Sequence, residues 1–120
     1  MNAPILDDIG LIRELTEADI PAGLEIAREM YPTRDVDRAV PWVRWCMANP
    51  DRLVLIGPNS VGCAQIDWIY GFEQRARLDF LACRRNKKAP LEALRMARVM
   101  LNWARSRGVS SVRRSRHASH

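Results

Sequence analysis

Histidine is nearly missing from this sequence of 120 residues: His117 and His120 are the only two, and both lie in the last four positions. Cysteine is scarce too. Cys46, Cys63 and Cys83 are an odd, widely spaced set with no CxxC pair, which argues against a structural zinc site and favours buried free thiols in a reducing compartment. No apolar run approaches the roughly 18 residues that a membrane span requires. The opening MNAPILDDIG has no cationic segment and no long apolar one, so no secretory leader is read and a cytoplasmic protein is expected. Low-complexity tracts are absent as well. What remains is a globular composition, 48% hydrophobic and 28% charged, of a length suited to one domain with one core.

The charge is unevenly spread. Residues 1–74 carry 6 Lys/Arg against 12 Asp/Glu, and residues 75–120 carry 13 against 2, within a net charge of +5. A C-terminal half this basic suits an anionic partner: a phosphorylated cofactor, a nucleic acid or an acidic protein face. A solvated basic helix face with a loose tail would give the same count.

The periodicities set an order of elements. GLIREL (10–15) reads as a short strand. Thr16 with Asp19 three residues on reads as a helix start, and Ile20, Leu24, Ala27 and Met30 follow at helical spacing until Pro32. A second helix, capped by Asp35 or Asp37, runs to about Asn49 with Val36, Val40, Val43 and Met47 on one face and Trp42 and Trp45 on a flank. RLVLI (52–56), VGCAQIDWIY (61–70) and Arg75–Cys83 read as three strands of an antiparallel meander, with turns at Gly57–Ser60 and Gly71–Gln74. Alternation in the third puts Leu78, Phe80 and Ala82 on one face, and Asp79, Leu81 and Cys83 on the other. A long helix over Pro90–Arg107 has a polar stripe of Glu92, Arg95, Arg98, Asn102 and Arg105. Leu94, Ala97, Met100, Leu101, Trp103 and Ala104 cover most of the rest. Gly108 caps this helix, and Val109–Val112 reads as a last strand, parallel to the strand before the helix. Residues 113–120, RRSRHASH, read as a frayed basic tail after a single domain over 1–112.

The stretch Arg75–Gly108 is where chemistry is expected. A strand leads into the cationic turn Arg84-Arg85-Asn86-Lys87-Lys88, and Pro90 stands in the first turn of the helix behind it. A helix start offers unpaired N–H groups and a partial positive charge, which suits a phosphate.

This order, with IRELTEADIPAGLEIA, LVLIGPNSVGCAQIDW and LDFLACRRNKKAPLEALRMARVMLNWARSRGVSSV in sequence, resembles the GNAT family of acetyl-coenzyme A-dependent N-acetyltransferases over about residues 10–112. The resemblance implies an α+β fold with a GNAT-like mixed sheet (β-α-α-β-β-β-α-β) and helices packed on both faces. The family's loop pattern, Gln/Arg-x-x-Gly-x-Gly/Ala, falls on Arg84-Arg85-Asn86-Lys87-Lys88-Ala89. Arg84 and Ala89 match, and Lys87 stands where the family has glycine. By resemblance, acetyl-coenzyme A is the cosubstrate with no metal. The backbone of Leu81, Ala82 and Cys83 would pair with the pantetheine arm, and the segment Arg84, Arg85, Asn86, Lys87, Lys88, Ala89 would face the pyrophosphate.

The implied reaction is acetyl transfer to a primary amine, either a protein lysine or N-terminus or a small amine. It needs a group to take the ammonium proton. Asp79 and Asp67, on adjacent strands, are the candidate bases, with Glu73 behind them; a carboxylate merely paired with Arg75 or Arg77 is the competing reading. Tyr70 is a candidate proton donor, and Trp42 or Trp45 could line an acceptor cleft. Cys83 has no histidine to activate it and reads as packing. The family continues with a helix and two strands that do not follow Val112 here. The last strand is then an edge, expected to recruit a second copy, giving a homodimer, or another protein. Two other functions compete: a GNAT-like module that has lost catalysis and modulates a protein partner, and nucleic-acid binding through the basic half. The latter ranks last, because the basic segments hold no stacking aromatics.

Overall fold

The computed structural model of the chain describes residues 11–109 and the backbone of 112–114. Strand β1 is Arg13–Glu14, shorter than expected, and Gly10 lies outside the described residues. The Thr16–Asp19 signal is realised as the start of a helical segment. The Asp19 carboxylate accepts the Thr16 N–H and hydroxyl, each at 2.8 Å, and pairs with Arg13. The Arg13 hydrogen bond holds the Asp19 carboxyl well below the usual carboxylate range. A 3-10 turn leads into α1, Ile20–Met30. A second such turn, Val36–Ala39, precedes α2, Val40–Ala48, so the expected second helix is split in type at its start. Pro41 occupies the first turn of α2, where no backbone N–H is needed.

The meander follows as β2 (Arg52–Ile56), β3 (Ser60–Ile69) and β4 (Glu73–Cys83). The β3–β4 turn sits at Tyr70–Phe72, earlier than expected. It uses left-handed backbone at Tyr70 (φ 58°) and Gly71 (φ 80°). Helix α3 spans Ala89–Ser106, Gly108 follows it with φ 85°, and β5 is Val112–Arg114. Among the described residues the sheet order is β1-β2-β3-β4-β5, antiparallel except for β5, which runs parallel to β4 as the crossover helix requires. The last strand therefore starts at Val112 and not at Val109, which is instead buried in the core. The backbone of Arg113 and Arg114, assigned to the tail from sequence, belongs to this strand; 115–120 lie outside the described residues.

Helices pack on both faces of the sheet. Leu53, Leu55, Ala64, Ile66 and Ala76 meet Met96, Val99, Met100 and Trp103 of α3. On the other face, Leu15, Ile20, Ile26, Ile56, Val61 and Ala82 form a second cluster with α1 and α2.

Two corrections to the sequence reading shape the site. The first is a bulge. Cys63 pairs with Phe80 and Ala64 with Leu78, so Asp79 is an extra residue in β4. The alternation of faces slips there. Leu78 and Leu81 both pack towards α3, while Phe80 and Ala82 pack towards α1 and α2. The second is the rotation of α3. Glu92 is buried, along with Ala89, Met96, Val99, Met100 and Trp103, whereas Leu94 and Leu91 are exposed. The predicted polar stripe is therefore broken at its first member. Glu92 turns inward because the β2–β3 turn presents donors that need an acceptor.

Candidate functional site

Among the described residues strand β5 pairs with β4 at Ala76, Arg77 and Leu78. Among the described residues no strand pairs with the β5-side backbone edge of Asp79–Cys83, which begins at the bulge. That open edge includes Leu81, Ala82 and Cys83. It leads into the loop at residues 84–88 and the start of α3, so a helix N-terminus follows directly on the end of β4.

The loop is held by a polar network that the sequence did not announce. Its centre is Asn59, in the β2–β3 turn. The Asn59 carbonyl accepts the Arg84 N–H at 2.8 Å, and its side-chain oxygen accepts the Asn86 amide at 2.9 Å. Asn59 in turn donates its backbone N–H (2.7 Å) and its side-chain amide (3.2 Å) to Glu92, which also accepts the Ser60 hydroxyl. Gly57 is required beside this carboxylate: a Cβ there would lie 2.8 Å from Glu92 Oε2. The turn, the loop and the first turn of α3 thus form one hydrogen-bonded unit.

The individual loop residues divide by role. Arg84 points to α1, with Nη1 3.3 Å from Glu29 and Nη2 3.7 Å from Glu25, so its charge is already neutralised. Asn86 folds back as a cap: its side-chain oxygen accepts the N–H groups of Lys88 (3.0 Å) and Ala89 (2.9 Å). Arg85, Lys87 and Lys88 are in no ion pair among the described residues, and Lys87 and Lys88 line a neighbouring cavity of about 500 Å³ with Arg95 and Asn59. Lys87 does not have a positive φ, so the backbone here does not demand the glycine that the family pattern carries.

The bulge places Asp79 on the α1/α2 face next to Phe80. Its carboxylate is 3.0 Å from Arg52 Nη1 and 3.9 Å from Arg77. Arg77 also lies 3.6 Å from Asp67, which accepts the Gln65 amide. Asp79 and Asp67 are therefore brought together in one charged strip, with Arg77 between them. Glu73 pairs with Arg75 at 3.1 Å. Tyr70 is 81% exposed in the β3–β4 turn, where its ring lies 6.0 Å from that of Phe72. Arg52 also lies over Trp45 at 4.6 Å and contacts the Cys46 thiol. Cys83 is half-buried, whereas Cys46 and Cys63 are buried.

A concavity lies on the same face of the sheet. A cavity of about 340 Å³ opens between α1, α2 and the sheet, with Phe80, Val54 and Val61 from the strands and Leu24 and Val43 from the helices in its walls. Trp42 lines it, as one of the two tryptophans proposed for an acceptor cleft. Tyr31, at the end of α1, lies over Phe80 with ring centroids 6.2 Å apart. The sequence reading missed Asn59, Glu92 and Arg34, the last of which is the charged member of this lining. The turn chemistry around Asn59 was a signal for a turn, not for a site.

No protein-family model matches the sequence, and no curated protein matches it. Solved structures do match. The aminoglycoside antibiotic 6′-N-acetyltransferase of Acinetobacter haemolyticus superimposes with a TM-score of 0.73 at 14% identity, over 91% of this chain and 81% of that one. Glucosamine-6-phosphate N-acetyltransferase of Arabidopsis thaliana gives 0.69 at 14% identity, over 87% and 80%. An aminoglycoside N-acetyltransferase solved with CoA gives 0.66 at 11% identity, over 87% and 74%. Identities this low speak to architecture and not to activity. On that ground the chain has the fold of the GNAT acetyltransferases.

Proposed function

We propose that the chain is an N-acetyltransferase that moves an acetyl group from acetyl-coenzyme A to a primary amine. The observation that carries this is the β4 edge from Asp79 to Cys83, without a strand partner among the described residues, running into the N-terminus of α3. The residues fit such a cosubstrate in two respects. The β4 edge, unpartnered among the described residues, can pair with an extended amide-bearing arm, and Arg85, Lys87 and Lys88, in no ion pair among those residues, are cations where its phosphates would lie. One feature opposes it: Asn86 already fills the Lys88 and Ala89 N–H groups and must swing out for an anion to use them.

Acetyl-coenzyme A supplies the thioester. One ammonium proton is given up before attack; the amine nitrogen then bonds to the acetyl carbon, the carbon–sulfur bond breaks with its electron pair on sulfur, and the second proton lost by the nitrogen ends on the thiolate, giving the free thiol. Asp79 is the proposed acceptor of the first proton, since it is the carboxylate at the bulge, on the cavity face. Asp67 positions Arg77, and the β4 backbone holds the donor in line.

Thermal unfolding with and without acetyl-coenzyme A tests the reading. Ligand at 100 times its dissociation constant adds about 2.7 kcal/mol. No shift at millimolar ligand overturns it. A second reading, a module that keeps the fold and binds a protein without chemistry, draws on the same internal engagement of Asp79 and Asn86; it would be favoured by that negative result. Pairing of β5 with a second copy or another protein belongs to either reading.

A further inference from the structure

The cavity between α1, α2 and the sheet has a chemistry narrow enough to name an acceptor class. Resting on the acetyl-transfer reading, we propose that the acceptor is an amino-acid-like amine: an aryl or branched alkyl body filling the cavity, with a carboxylate on Arg34. A volume of about 340 Å³ suits a small ligand, and close-packed interiors do not hold a gap of that size. Leu24, Val43, Val54, Val61 and Phe80 supply apolar walls, and Arg34 is the one charged residue of the described lining. Arg34 is exposed and in no ion pair among the described residues, so its guanidinium is available to a carboxylate. Tyr31 and Trp42, 38% and 39% exposed, stand with it in the lining.

The same lining argues against a polycationic amine. Such an acceptor needs carboxylates around its ammonium groups, and the described lining contains none. The position also suits attack. Tyr31 lies on Phe80, and Phe80 follows Asp79 at the bulge. An amine on the same carbon as a carboxylate held by Arg34 stays at the mouth, beside the strand that would carry the thioester.

The test separates the cavity from the reaction. L-Phenylalanine and phenethylamine are titrated into the isotope-labelled full chain without donor. Phenylalanine should shift the Trp42 indole and the amides of the α1–α2 connection. Arg34→Met should weaken phenylalanine about tenfold and leave phenethylamine within about twofold. Leu24→Trp should block both. Absence of shifts at about 10 mM phenylalanine, or binding indifferent to Arg34→Met, overturns the proposal, as does cavity occupancy seen only with a long-chain acyl-coenzyme A. With acetyl-coenzyme A added, phenylalanine should be acetylated in preference to phenethylamine and spermidine. Preference for spermidine overturns the acceptor class while the acetyltransferase reading stands. Arg34-dependent phenylalanine binding without any binding of acetyl-coenzyme A upholds the cavity and removes the reaction.

Discussion

The side-chain oxygen of Asn86 accepts the backbone N–H of Ala89 at 2.9 Å, at the helix start where a phosphate is expected. The chain supplies its own stand-in for the anion. An internal cap of this kind stabilises the helix and competes with any ligand for the same N–H groups. Asn86→Ala should therefore lower stability by about 1 kcal/mol and tighten acetyl-coenzyme A several-fold, up to about 30-fold if both hydrogen bonds are recovered by the ligand. Calorimetric titration of the two proteins decides this. Weaker binding by the variant would make Asn86 a support for the ligand and not its competitor.

Glu92 is the second point of leverage. Its carboxylate accepts from the Asn59 N–H, the Asn59 amide and the Ser60 hydroxyl inside a site where it is 7% exposed. Glu92→Leu leaves three donors unpaired, and each buried unpaired group costs about 1–3 kcal/mol. The expected loss is about 3 kcal/mol or more in urea unfolding, with Glu92→Gln losing less because its carbonyl still accepts. Equal stability of Glu92→Leu and the parent chain would remove the network from the account of the loop.

Asp79 carries the proposed proton transfer. Asp79→Asn should lower kcat by about 10²-fold or more while leaving the dissociation constant of acetyl-coenzyme A within about twofold. The rate of the variant should then track deprotonation of the free amine as pH rises. A kcat within threefold of the parent would reduce Asp79 to the partner of Arg52 and Arg77.

The buried thiols give a pH prediction. Burial pushes the Cys63 thiol up from 9.0 to about 12 and raises the Cys46 thiol as well. A folded-state value above the unfolded one means that the unfolded chain gives up its proton first. The stability from the buried neutral thiol is therefore intact below pH 9 and falls as pH rises from about 9 towards 12. Urea midpoints between pH 8 and 11 should fall less steeply for Cys63→Ala than for the parent chain. Identical slopes would show that Cys63 is not protected. In native protein at pH 8, half-buried Cys83 should react with a disulfide reagent before Cys46 and Cys63.

Much of the frame was legible in the residues. Strand β2 was read to its bounds, α3 within a residue, and the parallel return of the last strand followed from the helix between. These depend on local periodicity, on proline at helix starts and on the handedness of crossovers, which neighbouring residues carry by themselves. The faces of β4 were not legible. Asp79 becomes an extra residue only when β3 pairs alongside, and a pleat has no way of announcing a bulge whose cause is its partner. Glu92 failed for a similar reason. A glutamate among arginines on a helix reads as solvated, until Asn59 and Ser60, more than thirty positions away, bring donors to it.

The sequence by itself determined the element order, the basic turn before α3 and the resemblance that followed from them, because those signals are short in range. Only the tertiary structure decided which of the loop's groups remain free. Arg84 goes to Glu25 and Glu29 of α1, Asn86 turns back on Lys88 and Ala89, and Arg85, Lys87 and Lys88 are left without acidic partners among the described residues. The same holds for the cavity beside Arg34. Its walls come from two helices and three strands, and its apolar lining is a property of their packing that no single stretch of the chain contains.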